Sequence, residues 1–240
     1  MITIAITNYN RFEWVLNSFE KVLDDQRVSE IVISDDASNP DIFNQLSDAL
    51  KDKKYSKVKL YRNENNLGGF LNKKKAISLA SNEWVILLDS DNSIDISYLD
   101  IVYEKKDPTI IYCPSHAVCS SPILDYTEHI GLLNKNDFKH NLSQQIQIWD
   151  CIFNTGNCYF NKNLLLEALR KEGTLLNPYA SDAYYFVYLW FKHIPNAKLE
   201  IVPNLKYSHR LHPDSYYISM SSQSQKFIKE IIDDVKGWVN

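Results

Sequence analysis

The sequence predicts an α/β fold: a mostly parallel central sheet flanked by helices. Three observations carry that expectation. Short apolar runs rich in β-branched residues recur at residues 2–6, 30–33 and 84–88, and residues 57–61 alternate, each long enough for a strand and too short for a helix. Helical apolar spacing fills the gaps, giving units of roughly 25 to 30 residues, the pattern of right-handed βαβ crossovers. Each run ends abruptly in polar turn residues, as strands do where they leave a sheet.

Residues 2–6 form the first strand, closed by Thr7-Asn8-Tyr9-Asn10-Arg11. Phe12, Val15, Leu16, Phe19 and Leu23 follow at helical spacing. Residues 30–33 form the second strand, closed by Ser34-Asp35-Asp36-Ala37-Ser38-Asn39-Pro40. Ser, Asn and Pro ahead of Asp41 announce a helix whose inner face carries Ile42, Leu46 and Leu50. The third strand, 57–61, puts Val58 and Leu60 on one side. Asn66-Leu67-Gly68-Gly69 makes a loop that lets backbone approach something closely. A helix over 71–80 then leads to the strand at 84–88, which is apolar throughout and therefore buried on both faces.

The second half is less regular. It predicts strands at 109–113, 157–160 and 199–202 and helices at 162–171 and 181–193. Residues 120–148 read as a long polar loop, of the kind that serves as a lid or partner-binding element. Phe227, Ile228, Ile231, Ile232, Val235 and Trp238 share one stripe of an amphipathic helix over 221–240. Glu230, Asp233 and Asp234 on its other face disfavour anionic lipid, so it is expected to pack on its own domain.

A chain of 240 residues with 45% hydrophobic and 23% charged content suits one soluble domain, expected to span 1–240. A net charge of -4 excludes the basic surplus of a nucleic-acid binder, and Lys73-Lys74-Lys75 is the only tight cationic cluster. Cys113, Cys119, Cys151 and Cys158 lack zinc-binding spacing and read as free thiols of a reducing compartment. With no leader before the first strand and no run able to span a bilayer, the expected location is cytoplasmic.

Asp89 and Asp91 sit where the fourth strand leaves the sheet. In open α/β sheets ligands bind at the carboxyl ends of strands. Two carboxylates there repel unless a cation lies between them, and oxygen ligands of this kind suit Mg²⁺ or Mn²⁺, which can grip a diphosphate. Asp-Ser-Asp-Asn is equally good turn chemistry. However, residues 7–11, 35–38 and 89–91 all fall at carboxyl ends of successive strands, which independent turns would not do. The P-loop and the Gly-x-Gly-x-x-Gly fingerprint are both absent, disfavouring ATPases and dinucleotide dehydrogenases.

These segments resemble glycosyltransferase family 2, nucleotide-sugar-dependent enzymes of the GT-A fold. Ile4-Ala5-Ile6-Thr7-Asn8-Tyr9-Asn10-Arg11 is similar to that family's strand ending in Thr-x-Tyr-Asn-Arg, and Ile31-Val32-Ile33-Ser34-Asp35-Asp36-Ala37-Ser38 to its strand ending in Asp-Asp-Gly-Ser. Asn66-x-Gly68, Ala76, Ala80 and Asp89-Ser90-Asp91 follow at the family's spacing, so the dense match covers roughly the first 95 residues. The resemblance implies a Rossmann-like nucleotide-sugar-binding half over 1–95 and an acceptor-binding, catalytic half over 96–220.

It also implies roles. Thr7, Tyr9, Arg11, Asp35, Asp36, Lys73, Asp89 and Ser90 would form the nucleotide site, with Tyr9 stacking on the base. Asp36 would accept from the base's imide N–H, which suits uracil or thymine, while Asp35 is the alternative loop-fixing neighbour. Asp91 would ligate Mn²⁺ or Mg²⁺. Ser181-Asp182 falls where the family places its catalytic base, Asp182, although the same residues could simply cap a helix. Tyr207-Ser208-His209-Arg210-Leu211-His212-Pro213-Asp214-Ser215 resembles the closing loop, with His212 on metal or diphosphate and Arg210 and His209 behind it. Ala37, Asn82, Lys74 and Ser181 depart from the family pattern.

The reaction so implied moves a sugar, with inversion, from a UDP-sugar to a hydroxyl of a glycan or lipid-linked acceptor. The setting would be bacterial polysaccharide assembly, with docking at the inner membrane face through a partner or that acceptor. The competing readings are a catalytically silent nucleotide-sugar or glycan-binding module and a sugar-1-phosphate nucleotidyltransferase. The second usually carries a Gly-rich loop after its first strand, where this chain has Asn8-Tyr9-Asn10-Arg11.

Overall fold

The computed structural model describes residues 1–119, 124–144, 146–212 and 220–238. Strands β1 (Ile2–Asn8), β2 (Val28–Asp35), β3 (Val58–Arg62) and β4 (Trp84–Asp89) alternate with helices α1 (Phe12–Phe19), α2 (Pro40–Ala49) and α3 (Gly69–Leu79). They pair in parallel in the order β3-β2-β1-β4. The chain therefore reverses its direction of growth at β1, the switch point at which open α/β sheets bind ligands. After α4 (Ile96–Val102) the order continues β7-β5-β8-β6, from β5 (Ile110–Val118), β6 (Gly131–Leu133), β7 (Tyr159–Asn161) and β8 (Lys198–Ser208). The short β7 joins the halves by pairing antiparallel to both β4 and β5.

Alternation along the strands fills two layers of core. Ile2, Ile4, Ile6, Ile31, Ile33, Ile86 and Leu88 pack with Val15, Phe19, Tyr98 and Leu99 on one face. Ala5, Val85, Leu87 and Phe160 face the other layer, with α7 (Lys162–Glu172), α8 (Asp182–His193) and α9 (Ser221–Lys236). In α9 the stripe residues Phe227, Ile231 and Val235 are buried, Phe227 lying edge-on to Tyr185 at 5.2 Å. That helix packs on its own domain, as its acidic outer face requires. Among the described residues no helix is long and apolar enough to cross a membrane.

The expected long loop over 120–148 is corrected. Among its described residues lie β6, α5 (Lys135–Ser143) and the start of α6 (Gln147–Phe153). α5 opens on a capping box in which Asn134 accepts from the Asp137 backbone and Asp137 reaches back to the Asn134 N–H. Phe138 and Leu142, one turn apart, then bury it. Strands β5 and β8 also run past their expected ends at Cys113 and Val202. Pro114 and Pro203 look like stops, but the register shifts between Pro114 and His116, and Asn204 takes φ 62. A bulge of this kind absorbs the missing N–H and lets pairing resume.

Candidate active site

The carboxyl ends of β1, β2 and β4 meet because their registers are continuous: Asn8 lies beside Asp35, and Thr7 beside Asp89. Asp35 is fully buried and accepts from Asn8 Nδ2 (3.0 Å), Ser38 N (3.0 Å) and Ser38 Oγ (2.5 Å). Expected among the nucleotide contacts, its side chain is instead sealed inside the 35–38 turn that it holds. Asp36, 3% exposed, accepts from Asn63 Nδ2 (2.9 Å), Leu67 N (2.8 Å) and Gly68 N (2.9 Å), tying down the 66–68 loop. Ala37 keeps the turn despite lacking glycine's freedom, adopting φ 60 at a cost of about 1–2 kcal/mol. Asn82, another departure, donates to Thr3 Oγ1 (2.9 Å) and Ser29 Oγ (2.7 Å). Tyr9 is 49% exposed, its ring open to a stacking partner, whereas Ser90 is buried and donates its N–H to Thr7 O (3.2 Å).

Lys73 enters this rim from α3 and is buried. Its Nζ lies 3.0 Å from Asp89 Oδ1 and 3.0 Å from Asp182 Oδ2, the first residue of α8. Burial opposes its charge, but the two carboxylates hold its ammonium above the usual lysine range. Burial likewise works against ionised Asp89. Lys73, the Thr7 hydroxyl (3.3 Å) and the Arg11 charge outweigh it and keep that carboxyl below the usual range. For Asp182, burial together with the Asp89 charge wins, and its carboxyl is raised despite Lys73. Ser181 stands at the N-cap position but makes no side-chain cap; Asp182 Oδ1 instead accepts from Ala183 N at 2.7 Å.

Two glycines make room for these carboxylates. A Cβ on Gly69 would lie 3.2 Å from Asp182 Oδ2, and one on Gly156 would lie 3.1 Å from Asp89 Oδ2. The 155–157 loop is fastened to β4 by Asp89 N, which donates to Asn157 Oδ1 (3.1 Å).

The third cluster surrounds Asp91. Its Oδ2 accepts from Arg11 Nη1 at 2.5 Å and lies 3.1 Å from His212 Nε2. The Trp14 ring holds the cluster together: His212 packs on it at 4.8 Å, and the guanidinium carbons of Arg11 and Arg210 lie 5.4 and 4.9 Å from its centroid. Arg210 N donates to Asn92 Oδ1 (3.4 Å). His209 follows β8, and burial lowers its pKa, favouring neutral imidazole. Pro213, Asp214 and Ser215, which complete the expected closing loop, lie outside the described residues.

The donor set fits a divalent cation bound jointly with a ligand. Asp91 Oδ2 and His212 Nε2 are separated by 3.1 Å, close to the ~3 Å edge of an octahedron with bonds of about 2.1 Å. Among the described residues no three His, Cys, Asp or Glu groups form a complete cage. Mg²⁺ and Mn²⁺ commonly take one or two protein ligands and complete their shell with phosphate oxygens and water.

Trp14 is not singled out by the sequence, and Gly69 reads there only as part of a loop of close backbone approach. Trp14 follows Arg11 by three positions at the start of a helix, a spacing that puts both on one side. The glycines act through an absent Cβ, and sequence does not name the carboxylate that each one accommodates.

The family model described as Glycosyl transferase family 2 matches residues 3–167, well over half of the chain. The chain belongs to glycosyl transferase family 2. Asp182, Arg210 and His212 lie beyond the stretch matched to the family. No curated protein matches the chain in sequence. Among solved structures, S. aureus TarS 1–349 superposes with TM-score 0.66 at 13% identity, over 98% of this chain and 64% of that one. The same TarS fragment in complex with UDP-GlcNAc gives 0.64 at 14%, over 96% and 65%. The mannosyltransferase PcManGT from Pyrobaculum calidifontis, in complex with GDP-Man and Mn2+, gives 0.67 at 14%, over 99% and 65%. The fold is thus of the GT-A type, and the chain spans just under two thirds of these structures' length.

Proposed function

We propose that this family 2 chain is a metal-dependent glycosyltransferase that moves a sugar, with inversion, from a UDP-sugar to a hydroxyl of a glycan or lipid-linked acceptor. The observation that carries this reading is that Lys73 joins Asp89, at the end of β4, to Asp182, at the start of α8, while Arg11 pairs with Asp91 two residues beyond Asp89. Residues 1–95 would bind the donor and 96–220 the acceptor. Tyr9 would stack on the base. Asp36 Oδ2, which among the described residues accepts from Gly68 N, keeps acceptor capacity for a uracil imide N–H.

Charge balance supports the cation. Lys73, Arg11 and Arg210 are matched by Asp89, Asp91 and Asp182, so the donor's diphosphate adds negative charge that the site does not offset. Asp91 and His212 would hold Mn²⁺ or Mg²⁺, which supplies Lewis-acid stabilisation of the departing diphosphate. Arg210 and His209 would face that diphosphate, Arg210 with a bidentate fork. Asp182, its pKa raised, would take the acceptor hydroxyl's proton as the sugar carbon is attacked. A lipid-linked acceptor would bring the protein to the cytoplasmic face of a bacterial membrane.

The test measures transfer and donor hydrolysis with Mn²⁺ and with chelator, alongside thermal shifts with UDP and GDP. The expected result is metal-dependent turnover, preference for UDP, and an Asp182→Asn variant that binds nucleotide without transferring sugar. Full transfer by that variant overturns Asp182 as the base. Nucleotide-induced stabilisation with no turnover would leave the silent binding module.

A further inference from the structure

We infer that Arg11 competes with the divalent cation for Asp91, so that metal and nucleotide load together and neither binds well alone. This rests on the metal-dependent reading above and adds a residue that governs it.

The competition is over one atom. Asp91 Oδ2 accepts from Arg11 Nη1 at 2.5 Å and is also the oxygen next to His212 Nε2, at 3.1 Å. Arg11 Nη2 reaches that same imidazole nitrogen at 3.5 Å. The guanidinium therefore lies across both protein ligands of the cation. A cation bonded to both would stand against a fixed positive group, on side chains only 24% and 16% exposed, where water screens poorly. Guanidinium and metal ion exclude each other from Asp91.

Arg11 is well held where it is. Trp14 lies 5.4 Å from its guanidinium carbon, and the Asp91 contact is short and charge-assisted. It also has a second anion to turn to. A diphosphate reaching Arg11 and Arg210, which both lie against the same indole, offers the phosphate oxygens that guanidinium forks grip bidentately. Nucleotide thus draws Arg11 off Asp91, and its own oxygens complete a coordination shell that Asp91 and His212 only begin. Apparent metal affinity scales with the fraction of time that Asp91 is free. By linkage, whatever factor nucleotide adds to metal affinity, metal adds to nucleotide affinity.

Mn²⁺ binding, read by the loss of free-ion electron paramagnetic resonance signal, tests this without turnover. Titrations are made on wild type, Arg11→Met, Arg11→Lys and Asp91→Asn, each with and without UDP. Arg11→Met removes the competing charge and should raise nucleotide-free Mn²⁺ affinity roughly tenfold, within the usual range of coupling between sites. It should also shrink the enhancement that UDP gives. Arg11→Lys should restore weak nucleotide-free binding. If Arg11→Met binds Mn²⁺ no better than wild type while Asp91→Asn loses it, the competition is overturned and the metal site stands. If Mn²⁺ binds none of the proteins even with UDP, the metal reading fails and takes this inference with it.

Discussion

Asp89 and Asp182 share a single buried cation: Lys73 Nζ lies 3.0 Å from an oxygen of each. The sharing is unequal. Lys73, Thr7 and Arg11 keep Asp89 ionised against its burial, whereas burial and the Asp89 charge raise Asp182. On the proposed reading two like residues would take different tasks, one a fixed anion on the donor side and the other a base that can take a proton. Environments that push two carboxyls apart in this way commonly mark acid–base assignments.

Replacing Lys73 with Met leaves Asp89 and Asp182 facing each other with their shared cation gone. Removing one partner of a buried ion pair costs about 3–5 kcal/mol, so the urea midpoint at neutral pH should fall accordingly. Both carboxyls would then hold protons to higher pH in the folded chain than in the unfolded one. The deficit should therefore shrink as pH drops through the folded values toward the ordinary carboxylate range. A midpoint unchanged at neutral pH would show that Lys73 does not hold the pair.

A base must be unprotonated to act, and Asp182 lies above the usual Asp range because it is buried and faces Asp89. The acid limb of kcat/KM should consequently sit at higher pH than an ordinary aspartate would give, activity falling as pH drops through it. Rates measured across pH 4 to 8, roughly the span in which carboxylates and histidines titrate, should place that limb. A limb at the position of a free aspartate would argue for another base.

The donor-side half was legible in sequence. Residues 2–6 and 84–88 are buried on both faces, which is why they read as apolar runs broken only by Thr3, and each ends in the polar segment that meets the others at the rim. What stayed hidden depends on three-dimensional partners. Nothing in the spacing of Lys73 indicates that its ammonium reaches Asp182. The capping box of α5 rests on Asn134 and Asp137, polar residues that look like loop until Phe138 and Leu142 are seen to be buried. Pro203 reads as a strand stop until the bulge opposite Ser115 carries β8 past it. Asp35 was rightly placed at a strand end, but its oxygens turn inward to Asn8 and Ser38, a direction that sequence does not carry.

Gly69 and Gly156 should separate the two halves of the reaction. Gly156→Ala would press a methyl to 3.1 Å from Asp89 Oδ2, and Gly69→Ala one to 3.2 Å from Asp182 Oδ2. Each carboxylate would have to give by a few tenths of an ångström, a fraction of the displacement of about an ångström that can cost ~100-fold in rate. Gly69→Ala should lower kcat with nucleotide affinity kept, since it disturbs the base. Gly156→Ala should weaken donor and raise KM, since it disturbs Asp89 and the loop fastened to it. Steady-state kinetics paired with UDP calorimetry reads both, and identical effects from the two variants would contradict the division of roles.

Trp14 gathers Arg11, Arg210 and His212 beside Asp91, and each cation–π contact contributes about 0.5–1 kcal/mol. Trp14→Ala removes both contacts and the surface that orients the imidazole, so UDP affinity in the presence of Mn²⁺ should weaken roughly tenfold. Trp14→Phe keeps an aromatic face at the same place and should recover most of that loss. The indole lies at the start of α1, half-buried and outside the two main core clusters, so thermal stability should change far less than nucleotide binding does. Calorimetry on the three proteins decides the matter. Equal UDP affinity in wild type and Trp14→Ala would mean that Arg11, Arg210 and His212 hold their places without it.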